Sequence, residues 1–157
     1  MDIKNQRTAQ IICLQKNLSA IRKIAGWTAE QLGERIGVTK QTISNLENGK
    51  TPMTLTQYIA IRSVLDFEIQ TNKENTVLPQ VVEVLLNRYE EYSDEEREQL
   101  FEKVKTIAAT ASGGIGGAAL AAVSAGLLGG ILGAPFVVIG GIAAGSAWLS
   151  KVLKNNK

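Results

Sequence analysis

The chain has no histidine and a single cysteine, Cys13, in 157 residues. Without histidine, the side chain that most often acts as general base near neutral pH is missing. With one cysteine there can be no disulfide framework, and the spacings of a zinc site are not met. No serine, cysteine or carboxylate stands in a nucleophile or metal motif. Gly114-Ile115-Gly116 has neither a preceding strand nor a following Lys-Ser/Thr pair, so a phosphate-cradling loop is not expected there. These absences predict a protein that is not an enzyme and needs no cofactor or metal. Cys13 lies in the apolar run Ile11-Ile12-Cys13-Leu14 and reads as a small buried hydrophobe, not a reactive thiol. Such sparing use of cysteine fits a reducing, cytoplasmic compartment. Residues 1–7 contain no apolar stretch, so a cleaved signal peptide is not expected. The largest absence is of charge: the 45 residues between Lys105 and Lys151 carry none.

The charges that exist are unevenly placed. Residues 14–66 hold seven basic and four acidic side chains, a net of +3, whereas residues 67–105 hold five and ten, a net of −5. Residues 106–157 carry +3, all after the uncharged run. The first part can attract phosphate; the second is a poor nucleic-acid surface.

From Leu14 to Asp66 apolar residues recur at helical spacing, interrupted by turn signals. A first helix is predicted over about Leu14–Ala25, with Leu18, Ile21 and Ile24 inward and Gly26 at its end. Thr28 and Gln31 form a capping box for a second helix running to Ile36. Gly37 permits a tight turn. Thr39 caps a third helix over Lys40–Glu47, whose inner stripe is Ile43 and Leu46, and Asn48-Gly49 stops it. Thr54 opens a fourth.

Two short helices joined by a glycine-containing turn make a helix-turn-helix unit. The run from Thr28 to Lys50, TAEQLGERIGVTKQTISNLENGK, resembles the Cro/C1-type helix-turn-helix, the Xre family. The resemblance covers about 50 residues, a third of the chain. It implies a lambda-repressor-like helical bundle, with the third helix as the recognition helix in the major groove. Lys40, Gln41, Thr42 and Asn45 project away from the Ile43/Leu46 stripe and are the candidate base readers. Glutamine or asparagine can pair with adenine, and lysine can donate to guanine. Thr28, Thr39 and Lys50 are the candidate phosphate contacts, the two threonines through helix starts. The resemblance further implies a structural ion pair between Arg22 and Glu47. Taken singly, any of these polar residues could be an ordinary solvated side chain.

Residues 70–76 are polar and turn-rich and read as a linker. A helix from Leu78-Pro79, with Val81, Val82, Leu85, Leu86 and Tyr89 on one face, is followed by a capping box at Ser93 and Glu96. The next helix presents Leu100, Phe101, Val104 and Ile107. These two helices are too small to hold a core alone. Either they pack on the helix-turn-helix domain or they pair with a second subunit, as dimeric readers of paired half-sites do.

The uncharged run is long enough for two membrane spans of about 20 residues each. Gly133-Ala134-Pro135 supplies a break, giving expected spans over about Ile107–Leu132 and Pro135–Leu149. Lys103 and Lys105 before the run, and Lys151, Lys154 and Lys157 after it, favour a hairpin with both flanks on the cytoplasmic side. Small residues fall every four positions, among them Gly113, Gly117, Gly126, Gly129, Gly130, Gly133, Gly141 and Gly145. Such rows let helices approach closely and resemble glycine-zipper membrane segments. Trp148 suits the lipid–water interface. Eleven glycines also weaken helices, so the competing readings are a soluble hairpin, buried in an oligomeric core or against the other helices, and a disordered tail.

The expected organisation is all-α. A helix-turn-helix domain occupies residues 1–69, and an acidic helical linker that could also dimerise occupies 70–105. A hydrophobic helical hairpin follows over 106–150, then a basic tail over 151–157. The expected function is a DNA-binding transcriptional regulator, in the sense of a repressor. Its expected partners are double-stranded DNA, membrane lipid and further copies of itself, and its expected place is the cytoplasmic face of the membrane. The alternatives are a membrane-active, pore-forming effector with a sensing domain, and a soluble interaction protein that binds a partner protein.

Overall fold

The computed structural model describes residues 3–112, 117–132, 148–149 and 153. The order of elements is α1 (Ile3–Ala25), α2 (Ala29–Ile36), α3 (Lys40–Glu47), α4 (Leu55–Thr71), α5 (Val77–Val82), α6 (Asp94–Ser112) and α7 (Gly117–Leu132). A π-helical turn at Glu83–Asn87 and a 3-10 turn at Tyr89–Glu91 lie between α5 and α6. The described residues are helical, with no strand among them.

Three expected helix starts are built as their residue types require. The Thr28 hydroxyl accepts from the Gln31 N–H at 3.1 Å, and the Thr28 N–H donates to Gln31 Oε1 at 2.9 Å. Thr54 and Gln57 repeat the box at 3.1 and 2.9 Å. Ser93 and Glu96 close a third at 3.3 and 2.7 Å. Each box satisfies two backbone N–H groups that a helix start otherwise leaves open.

α1 is longer than its periodicity predicts, beginning at Ile3 instead of near Leu14. No glycine or proline precedes Gly26, so nothing in the chain breaks the helix earlier. Its added turns have a seat, since Cys13 and Leu14 are buried and α1 packs along α6. Residues 70–76 are more firmly held than a polar linker suggests. α4 runs on to Thr71. Asn75 accepts from the N–H groups of Val77 and Leu78 at 3.2 and 3.1 Å and donates to the Ile24 carbonyl at 2.8 Å. One side chain thus caps α5 and ties it to the end of α1. Pro79 sits in the first turn of α5, where a missing N–H costs nothing.

One contiguous apolar cluster runs from Cys13 to Trp148. Val81, Val82, Leu85, Leu100 and Val104 are buried in it. The apolar faces of the two middle helices are therefore used inside the chain, on the helix-turn-helix domain, and are not left open for a second subunit.

The described residues do not show the expected transmembrane hairpin, most of whose second arm lies outside them. Residues 107–112 belong to α6, with Ile107 and Ala108 buried against the body. α7 has 16 residues among those described. Among the described residues no helix is long and apolar enough to cross a membrane. α7 turns Leu120, Ser124 and Leu128 into the body. Of the glycines expected to pack helices, Gly117, Gly129 and Gly130 lie on the backbone of α7. Gly126 is exposed, and a Cβ there would meet nothing within 4 Å. Gly113, Gly133, Gly141 and Gly145, with most of the second arm, lie outside the described residues. Trp148, expected at a lipid interface, is buried against α4.

Candidate nucleic-acid interface

The approach of α2 and α3 depends on two glycines. Gly37 ends α2 with φ +77°, a left-handed backbone that glycine takes without strain. Its N–H and that of Val38 both return to the Gly33 carbonyl. Gly33, in the middle of α2, is there for space. A Cβ on it would lie 2.6 Å from the Val38 carbonyl oxygen and 3.2 Å from the Thr39 carbonyl carbon, both backbone atoms. The turn folds back directly over α2, and this sets where α3 begins.

α3 is held from beneath by Ile43 and Leu46, both buried. It is held from behind by Gln15 of α1, whose side-chain N–H groups donate to the carbonyls of Leu46 at 3.0 Å and Thr51 at 2.7 Å. The same amide oxygen accepts from the Met53 N–H at 2.9 Å. Nothing in the local sequence marks Gln15, because its partners stand more than 30 residues away. Arg22 and Glu47 form a two-pronged ion pair, Nε–Oε1 at 2.5 Å and Nη2–Oε2 at 3.2 Å, with little solvent access. Arg22 also donates to the Trp27 carbonyl at 2.9 Å, and Arg35 stacks over the Trp27 ring at 4.5 Å. The planar guanidinium suits such bidentate geometry. These contacts fix the carboxy-terminal end of α3 on α1 and leave its outer face free of structural duties.

That outer face carries Lys40 and Gln41, both exposed, with Thr42 and Asn45 half-buried. Gln41 Nε2 donates to Asn45 Oδ1 at 2.9 Å, one helical turn apart, so the two amides form one polar unit. The hydroxyls of Thr39 and Thr42 lie 3.1 Å apart, and Thr39 also accepts from the Thr42 N–H at 3.2 Å. One hydroxyl proton of that pair stays available to an outside acceptor. Thr28 is similar: its oxygen is used as an acceptor by the helix while its proton can still be donated. Lys50 is exposed just past the end of α3, its N–H bonded to the Asn45 carbonyl at 2.9 Å.

The electrostatics of α3 run against its own stability. Its first turn holds no acid and begins with Lys40. A cation at the positive end of the helix dipole is unfavourable until an anion sits beside it. α6, by contrast, places Asp94, Glu95 and Glu96 in its first turn. The two helix starts are thus made for different surroundings.

Cys13 lies away from this face. It is buried, its thiol donates to the Leu85 carbonyl at 3.2 Å, and burial pushes its pKa up to about 12 despite the nearby Arg97 and Lys16. It packs as an inert small residue.

The family pattern described as helix-turn-helix matches residues 18–71, which are α2 to α4 with the last third of α1. Antitoxin HipB of Escherichia coli (strain K12) is 30% identical over 70 residues, covering 45% of this chain and 80% of the relative. Antitoxin HipB of Escherichia coli O6:H1 (strain CFT073) is 29% identical over 70 residues, 45% of this chain and 74% of the relative. No solved structure matches the chain. The matched range contains the threonine-capped α2, the tight turn over Gly33 and α3. On this fold and these matches, the chain belongs to the helix-turn-helix family, in its Cro/C1-type form.

Proposed function

We propose that the chain is a sequence-specific DNA-binding transcriptional regulator that acts as a repressor. The observation that carries this reading is α3: anchored at its carboxy-terminal end, polar on its outer face, and beginning with a lysine where its own dipole asks for an anion. Lys40, Gln41, Thr42 and Asn45 read bases in the major groove. Thr28, Thr39 and Lys50 hold the flanking phosphates and set the register. The protein binds as a homodimer on two half-sites about one helical turn apart. Its dimer surface lies away from the apolar faces of α5 and α6, which the chain itself uses. The relatives' name, antitoxin, belongs to proteins that share only the 70 residues of this part. It supports the DNA-binding half of the chain and is not extended to the neutralisation of a toxin.

The test is selection from a random duplex library with the full chain. Enrichment of an inverted repeat, lost when Gln41 and Asn45 are both replaced by alanine, is the expected result. Enrichment that survives the double replacement would remove α3 as the reader, and no enrichment at all would favour a domain that binds protein.

A further inference from the structure

α4 has a second face that the fold does not use. Its buried stripe, Tyr58, Ile61, Arg62 and Leu65, rests on the body. On the opposite side Thr56, Ala60, Ser63, Phe67 and Gln70 recur at alternating steps of four and three residues, the spacing of a coiled-coil seam. Thr56, Ser63, Phe67 and Gln70 are exposed, and Ala60 is half-buried. Phe67, at 67%, is the most exposed large hydrophobic side chain among the described residues. Ile59 and Val64, partly buried, border the seam. With 17 residues, α4 runs for about 25 Å.

This face is prepared for cover. It carries no charge: Arg62 is buried, and Asp66 and Glu68, at its sides, accept hydrogen bonds from Trp148 and Asn72. The Ser63 hydroxyl donates to the Ile59 carbonyl at 2.7 Å, and the Thr71 hydroxyl donates to the Phe67 carbonyl at 2.8 Å. Hydroxyls already bonded to their own helix lose little when water is removed from them. Thr56 and Gln70 keep polar groups at the two ends of the seam, where the rim of an interface lies.

The exposed faces of the other helices differ. α1 shows Lys16 and Lys23, α2 shows Glu34 and Arg35, and α6 shows Glu98 and Glu102. α7 also lacks charge, but its exposed side chains are those of Ala122 and Ala125, which offer little area to bury. A twofold axis sets the residues near it against their own copies, so a charged face repels itself and an uncharged one does not. We propose that the outer face of α4 is the surface on which two copies of this chain pair, with Ser63 and Phe67 close to the twofold axis. The proposal rests on the reading of the chain as a dimeric DNA reader and names the surface that joins its two halves. One helix pair lies at the small end of specific interfaces, so the dimer is reversible and paired half-sites complete it.

The experiment is sedimentation velocity of the full chain over a range of concentrations, without DNA. A reversible monomer–dimer equilibrium is expected. Phe67→Glu sets two carboxylates near the axis and should raise the dissociation constant of the dimer by about tenfold or more. Phe67 is too exposed to support the fold, so this variant should melt with the parent. Should it melt lower, Ser63→Cys serves in its place. Mild oxidation should link two copies of that variant, while Gln99→Cys, on the exposed side of α6, should stay single. Cys13 is buried and does not compete. A parent that stays monomeric would leave the face to a different protein and overturn the proposal. A dimer untouched by Phe67→Glu, or equal linking of the two cysteine variants, would overturn it as well. None of these readouts involves DNA, so their failure is separate from a failure of α3 to select a duplex.

Discussion

Replacing Gly33 by alanine sets two effects against each other. In a helix interior the change gains about 1 kcal/mol, because alanine gives up less backbone freedom. Here the new Cβ would stand 2.6 Å from the Val38 carbonyl oxygen and within 3.3 Å of the Thr39 carbonyl, and both are backbone. No rotamer change relieves such a clash, so the turn itself must shift. Overpacking of this kind costs roughly 1–3 kcal/mol, and a rigid backbone obstacle places Gly33→Ala at the upper end. The net expectation is about 2 kcal/mol of destabilisation, or a fall in Tm of roughly 4–8 °C for a chain of this size. The shift also displaces Thr39 and the start of α3, so DNA affinity should fall by more than the loss of folded protein explains. Thermal melts followed by circular dichroism and DNA titrations of the folded variant measure both. Glu34→Ala, on the exposed side of the same helix, is the control and should be neutral or stabilising. If Gly33→Ala were as stable as the parent, the close turn over α2 would be wrong.

Four further outcomes follow from the geometry. Glu47→Gln breaks a shielded two-pronged pair and should cost about 2 kcal/mol in denaturant unfolding, in the range for hydrogen bonds to charged groups. Gln15→Ala frees the loop after α3 from three hydrogen bonds and should raise hydrogen exchange at Met53 before it lowers global stability. Lys50→Ala should weaken binding to all duplexes alike and reduce the salt slope by about 1 in a titration of affinity against salt. Cys13 keeps its proton in the folded chain up to about 12, whereas the unfolded thiol loses it near 9.0. The stability this confers is therefore complete below pH 9.0 and declines between pH 9.0 and about 12, as the unfolded state alone releases a proton. A thiol reagent should accordingly react only at the rate of unfolding.

Short-range chemistry made much of the amino-terminal half legible. Threonine before a helix with glutamine three residues on, glycine at the turn and an apolar pair inside α3 are local signals, and each helix they bound lies close to its expected limits. Apart from the Arg22–Glu47 pair, which the resemblance implied, contacts between distant residues were not legible. Gln15 reaches the loop after α3, Asn75 reaches the end of α1, and Gly33 answers to the turn beyond α2. None of these can be read without knowing which elements meet. The start of α1 was missed because its first turns are largely polar and carry no helix-start signal. The uncharged run is legible only in part, because most of its second arm lies outside the described residues. Hydropathy measures what must be covered but not what covers it, and in the described residues the body covers Ile107, Leu120 and Leu128, while Arg62, Asp66 and Tyr58 receive Trp148.

The central claim is that α3 reads base sequence. It is tested most directly by fluorescence-anisotropy titration of the selected duplex and a scrambled one, with the parent chain and the Gln41→Ala/Asn45→Ala double variant at two salt concentrations. The account predicts that the parent prefers its site by about a thousandfold or more. The double variant, equally well folded, should lose at least tenfold of that preference while keeping salt-sensitive binding to both duplexes. A double variant that discriminates as well as the parent would contradict the assignment of α3 and of every base contact placed on it.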